Sequence, residues 1–409
     1  MPLISTIGGC SGRNYGARLK PKLRATISIS DQTVATGYES TFTPIVLDGG
    51  CGFFVYAISP SLPSGMSLNT STGTVSGTPT NLLSTTTYTI TGVDRCGEVT
   101  QASFTLTVAA GIITSVEMLL VAGGGGGVYG DNNDNGGGGG GGGGVFYSTS
   151  VSITAGVTYD VSVGAGGGSS INLAGNGADT YLFYNGNYIQ LAKGGGGGSI
   201  GQAASNGGSG GGASRSGHPG GTALQPSYGP GNYGSPGAPG AGTSGATGGS
   251  GGGGAANPGT GAGGGGGGNG GNGTDVASDL LEAAGRGVYY APSDTYFIAA
   301  GGGGGAAGTG NPGGGGGLGG GGAGGIQDGV GTSGLTRTGS GGGGGGRGGG
   351  EPGFAGGAGG SGIAIIRLPS GYPAATTSGA DDIRIVGSNR IYTFFQGAGT
   401  IRFNSNPPP

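Results

Sequence analysis

The chain has 409 residues, only 8% of them charged, and a net charge of −3. That balance excludes a polybasic nucleic-acid surface and a strongly acidic one, and no apolar run is long enough to span a bilayer. One histidine and three cysteines leave too few groups for a Ser-His-acid triad or a histidine-based metal site, so no enzyme, metal or cofactor is expected.

Residues 1–24 carry a cluster of cations, Arg13, Arg18, Lys20, Lys22 and Arg24, with no acid before Asp31. Both a solvated tail and a peptide that orders when it docks on a larger assembly fit this pattern. The first ten residues lack the basic and long apolar regions of a signal peptide, so release by host lysis is the expectation.

From about 25 to 110 the pattern is β-branched, alternating and cut by Gly and Pro turns. Ala25–Ser30, Thr87–Thr91 and Phe104–Val108 alternate cleanly. Cys51 and Cys96 lie in this stretch; a disulfide between them and free thiols are both compatible with the sequence. Leu62–Asn69 (Leu-Pro-Ser-Gly-Met-Ser-Leu-Asn) and Gly73–Pro79 (Gly-Thr-Val-Ser-Gly-Thr-Pro) follow one another between these strands. That pair of turns resembles the immunoglobulin-like (cadherin-like) repeats of bacterial surface and phage proteins. The resemblance implies a small β-sandwich spacer, and the few acids here do not imply cadherin-type calcium ligation.

Most of the 119 glycines lie beyond residue 122, with nine in a row from Gly136 to Gly144. Glycine buries no side chain and costs the most backbone entropy to order. Such runs are either loose linkers or a bundle of extended threefold helices whose bare backbones touch. Short apolar strands run directly into glycine at Val116–Ala122, Tyr188–Lys193 and Tyr296–Ala300. A linker has no reason to alternate with strands in this way, so the bundle is expected, with rods of roughly 15–28 Å at about 3.1 Å per residue.

If the runs form a rigid core, the residues interrupting them should gather in loops at its ends and carry function. Tyr129, Asp131, Asn132 and Asn133 form one such interruption. Arg215, His218, Tyr228, Asn232 and Tyr233 fall in a long Pro-containing one. Asp275 to Gly287 reads as a short helix with Thr274 or Asp275 as N-cap and Gly285 near its end; Tyr289, Tyr290 and Asp294 follow it. Gln327, Asp328 and Arg337 mark the last. Tyrosine with asparagine, aspartate and arginine suits glycans or exposed protein loops. Ile363–Leu368, Ile383–Val386, Arg390–Phe395 and Gly399–Phe403 read as closing strands.

The order of Val116–Gly127, interrupted glycine runs, Gly359–Pro369 and Asn389–Phe403 resembles the glycine-rich domain of phage structural proteins. It is also similar in principle to polyglycine-sandwich adhesins at the tips of long phage tail fibres. The resemblance implies a mainly β chain: a basic docking peptide (1–24), an Ig-like β-sandwich (25–110), a glycine-rich domain of short strands and packed polyglycine II helices (111–370), and a C-terminal β segment (371–409). It implies a homo-oligomeric virion protein, a trimer among the options, that meets other virion proteins through its N-terminus and a host glycan or outer-membrane protein through its loops. A non-adhesive head or neck decoration is the alternative, and ice binding a remote one.

Overall fold

In a computed structural model the described residues are 21–37, 39–109, 113–131, 133–225, 230–240, 247–347, 353–370, 372–395 and 397–404. The chain divides into two compact units, Met1–Gly111 and Ile112–Pro409. The chain is mainly β, as the sequence indicates.

The strands of the first unit are β1 (Arg24–Ile27), β2 (Asp31–Ala35), β3 (Ser40–Phe42), β4 (Ile45–Asp48), β5 (Val55–Ser59), β6 (Met66–Leu68), β7 (Val75–Gly77), β8 (Leu83–Val93) and β9 (Val99–Ala109). They form a four-stranded sheet in the order β2-β9-β8-β5, a three-stranded sheet β3-β7-β6 and the pair β1-β4. The alternation read from sequence sorts side chains in or out: Tyr88, Ile90, Phe104, Leu106 and Val108 enter the core, and the intervening threonines do not. Residues 21–24, expected in a docking peptide, belong to this unit instead. Leu23 is 3% exposed, Gly50 N–H bonds to Pro21 O at 2.7 Å, and Arg24 opens β1 opposite Asp48. Burying Leu23 fixes its neighbours Lys22 and Arg24 on the sandwich. Arg13, Arg18 and Lys20 lie outside the described residues.

Cys51 and Cys96 form a disulfide, Cα atoms 5.8 Å apart, which answers the question the sequence left open. Beside it the Asp94 carboxylate accepts the N–H groups of Cys51 (2.7 Å), Cys96 (2.9 Å) and Glu98 (2.9 Å). These bonds, that of Cys51 foremost, hold the carboxyl below its ordinary value against the opposing effect of burial. Its stabilisation is therefore present above the unfolded value, near about 4, and is lost as pH falls through the folded one. In thermal melts Asp94→Asn should lower the Tm of this unit at neutral pH, and the gap to the parent should close towards about pH 2. Opening the disulfide should cost this unit about 4 kcal/mol on the loop-entropy scale, read as a lower denaturation midpoint.

The strands of the second unit are β10 (Ser115–Val121), β11 (Val145–Ser152), β12 (Thr158–Val163), β13 (Thr180–Tyr184), β14 (Asn187–Ala192), β15 (Asn232–Tyr233), β16 (Val288–Tyr290), β17 (Thr295–Phe297), β18 (Ile363–Pro369), β19 (Thr376–Ser378), β20 (Asp382–Val386), β21 (Asn389–Phe394) and β22 (Gly397–Arg402). One sheet runs β15-β11-β10-β18-β21-β20 and another β14-β13-β12-β22-β19. Strands β10 and β18 are buried on both faces, which is why each reads as a continuous apolar run. Met118, Leu120, Ala364 and Ile366 meet Val161, Leu182 and Ile401 of the second sheet. Leu119, Val121, Ile363 and Ile365 meet Leu280, Leu281 and Ala284 of helix α1 (Ser278–Ala284). The helix ends at left-handed Gly285 (φ 66°), as expected. Its N-cap is Ala277, not Thr274 or Asp275, and makes no side-chain cap bond, because α1 begins three residues later than the polar signal. Residues 372–404 supply β19 to β22 to both sheets, so the C-terminal strands are woven into this unit rather than appended to it.

The glycine runs pack as the bundle. Every third residue of 136–144 faces the same neighbour, the signature of a threefold helix. Gly136, Gly139 and Gly142 donate to the carbonyls of Thr247, Ser250 and Gly253. Gly137, Gly140 and Gly143 donate to Gly345, Gly342 and Gly339, and Gly141 and Gly144 to Gly196 and Lys193. The carbonyls of 136–144 receive N–H groups from three further rods: from Val128, Gly125 and Ala122, from Gly305 and Gly302, and from Gly212 and Ser209. Partner numbers rise along 247–253 and fall along 339–345, so rods of both directions surround this one. A hydrogen bond nets about 1 kcal/mol, and ordering a residue costs about 1–2 kcal/mol. The bundle therefore leans on the apolar cores built at its strand end.

Candidate functional site

The directions of the rods define two ends. Strand β10 passes directly into rod 122–131 and rod 135–144 passes directly into β11, so the strand hairpin continues as a polyglycine hairpin closed where Asp131 N–H meets Asn135 O (3.0 Å). Strands β12 and β14 likewise lead out into 164–170 and 193–200, and 174–179 and 353–362 return into β13 and β18. Residues 131 and 133–135 and loops 171–173, 200–203, 215–218, 263–266, 308–312 and 326–329 consequently lie together at one end, the tip. The sheets, α1 and the β16–β17 hairpin lie at the other, as do Ser115 and Asn404.

Asp131 organises the tip. Its carboxylate accepts Asn133 N–H (2.9 Å), Asn135 N–H (2.9 Å) and the Asn135 carboxamide, and it pairs with Arg215 across to loop 215–218. Asp134 pairs with Arg347 at 2.5 Å, tying the same turn to a third rod. Ile200 N–H donates to Asn172 O (3.0 Å), and the Ser199 hydroxyl to Gln202 O (2.7 Å), which fixes the neighbouring loops to each other. Between them opens a cleft of about 410 Å³ lined by Asp131, Asn133, Ile171, Asn172, Gln202 and Arg215 among others. Arg215 has φ 65°, uncommon for a residue with a side chain, and its Nε is buried without a hydrogen-bond partner.

The sequence-derived candidates divide between the two ends. Asp131, Asn133 and Arg215 line the cleft; Tyr129, whose N–H bonds to Ser170 O, ends the adjoining rod. His218, Gln327 and Asp328 also stand at the tip, the last with its N–H on Arg347 O (2.8 Å). The other described candidates stand at the sheet end, and Asn232 and Tyr233, expected in a loop, lie in a strand. Asn232 and Tyr233 form β15, which pairs with β11; the Asn232 carboxamide oxygen accepts from Gln225 and Tyr233 packs on the core beneath α1. Tyr289 and Tyr290 belong to the β16–β17 hairpin, where the Tyr289 hydroxyl donates to Asp294 at 2.8 Å. That bond raises the Tyr289 hydroxyl above its usual value. Arg337 turns at the sheet end with its guanidinium 4.3 Å from the Phe395 ring, and Arg286 lies 4.2 Å from the same ring. The reason is directional: an odd number of passes separates these loops from the tip. Asn132 and Tyr228 lie outside the described residues.

Ile171, Asn172 and Gln202 went unnoticed in the sequence. Their interruptions, 169–173 and 199–203, are short and uncharged, and only their position between glycine runs marks them.

Comparison with known families agrees with this layout. The model described as Glycine-rich domain matches residues 98–369, and the model named Putative Ig domain matches residues 21–109. The chain belongs to the glycine-rich domain family, and its N-terminal unit is Ig-like. The shared stretch 98–109 holds β9, which pairs with β8 and β2 in the first unit. No curated protein matches the chain. Among the described residues no helix is long and apolar enough to cross a membrane.

Proposed function

We propose that the chain is a phage structural protein, a tail-fibre or adhesin component that binds a host surface receptor through the tip loops of its polyglycine bundle. The observation that carries this reading is the separation of roles in the second unit. Ser115, Asn404 and the two large apolar cores sit at the sheet end, while hydrogen-bonded rods hold polar loops, cross-tied through Asp131 and Arg215, at the other. Rigid presentation lowers the ordering cost of binding. In this reading the basic N-terminus meets other virion proteins, the Ig-like unit is a spacer, the protein is a homo-oligomer, and it reaches the outside of the cell on virions after lysis.

The test exchanges tip loops 131–135 and 215–218 for Gly-Ser segments of equal length and measures binding of the labelled full chain to candidate host bacteria. Binding should fall to background with the melting temperature of the sheet cores retained. Unchanged binding after both exchanges contradicts the reading. A chain that binds no cell at all, yet is found at fixed copy number on particles, would be a decoration protein instead.

A further inference from the structure

We propose that the tip cleft is a carbohydrate site that takes a short neutral oligosaccharide, one or two sugar rings of a host surface glycan. The inference rests on the receptor-binding reading and narrows it to one site and one ligand class. Three features of the cleft carry it.

First, its free polar groups are carboxamides. The side chains of Asn133, Asn172 and Gln202 line the cleft, are exposed, and have no hydrogen-bond partner among the described residues. Each offers two donors and an acceptor, which matches sugar hydroxyls that donate and accept at once.

Second, the charges are already spent. The Arg215 guanidinium is paired with Asp131, whose oxygens also hold Asn133 N–H, Asn135 N–H and the Asn135 carboxamide; Arg347 is paired with Asp134. Among the described residues, an anionic sugar would find no free cation in the cleft, and a cationic ligand no free carboxylate.

Third, size and surface suit a small amphipathic ring. A volume of about 410 Å³ lies in the range of roughly 300–1,000 Å³ usual for small-molecule sites. Ile171, 54% exposed, gives the C–H face of a sugar an apolar surface. A protein receptor would call for about 800 Å² per partner and aromatic anchors, and among the described residues no aromatic side chain lines the cleft.

The experiment applies the labelled full chain to an array of dephosphorylated lipopolysaccharide core and neutral O-antigen oligosaccharides, and in parallel to immobilised outer-membrane proteins. Gln202→Ala and Asn172→Ala, at exposed positions, should leave the melting temperature in place and weaken array binding at least tenfold each. Tyr289→Ala at the opposite end should leave it unchanged. Array binding that survives both carboxamide variants overturns the site. Binding only to charged glycans, or to an outer-membrane protein in a manner that the tip-loop exchange abolishes, overturns the ligand class while the receptor-binding reading stands. Binding to neither, or binding that ignores the loop exchange, overturns both.

Discussion

Gly140→Ala is expected to destabilise the second unit by about 3 kcal/mol or more, whereas Gly168→Ala should be neutral or stabilising by about 0.5 kcal/mol. Both glycines lie in extended rods with negative φ, so their backbones admit alanine equally well. What differs is the space. A Cβ at Gly140 would sit closer than the 3.0 Å that real Cβ atoms respect, against the Gly125 and Gly126 carbonyl oxygens and Gly125 C, all of them backbone. None of these can swing aside without breaking the bond from Gly125 N–H to Gly141 O. At Gly168 nothing lies within 4 Å, so the only effect is a smaller unfolded-state entropy. Chemical denaturation of the pair separates packing from conformational freedom. Equal midpoints for the two variants would mean that the runs are not close-packed.

Thr180→Val should be the costliest polar-to-apolar exchange at the junction of sheet and bundle, about 2–5 kcal/mol. Thr180 is wholly buried; its hydroxyl donates to Val121 O and accepts Gly164 N–H, each at 2.9 Å. Val121 is the last residue of β10 before its rod begins, and Gly164 the first after β12. Valine keeps the shape but leaves a buried carbonyl and a buried N–H unpaired. Thr180→Ser should recover most of the loss, since it restores both bonds. If valine and serine melt alike, the hydroxyl has no such role.

Much of the fold was legible in the chain because local periodicity and burial agree. Strands β8 and β9 alternate Tyr88, Ile90, Phe104, Leu106 and Val108 with threonines, and β10 and β18 run apolar because each is covered on both faces. The bundle was legible from composition, since only bare backbone explains nine glycines beside strands. The assignment of loops to ends was not. It depends on counting every pass of the chain, including rods that do not look like glycine runs. Residues 219–224 and 234–240 contain Pro219, Pro236 and Pro239, read as part of one long loop, yet they are rods: Gly221 N–H meets Gly211 O, and Gly237 N–H meets Gly221 O. Proline fits there because a threefold rod has its φ and spares some N–H groups. Reading these rods as loop puts Asn232 and Tyr233 in one loop with Arg215 and His218, whereas they form β15 at the sheet end. The cleft was half legible: Asp131, Asn133 and Arg215 stand out by chemistry, whereas Asn172 and Gln202 acquire meaning only from the neighbours that the rods bring beside them.

The central claim, that the glycine runs are a hydrogen-bonded scaffold holding the tip loops, is tested most directly by amide hydrogen exchange at 136–144, followed by NMR in the full chain. The account predicts that these amides exchange no faster than Met118 to Leu120 in the buried strand β10, through global unfolding of the unit. Exchange of the glycine amides at the rate of an unstructured peptide, with β10 still protected, would contradict it.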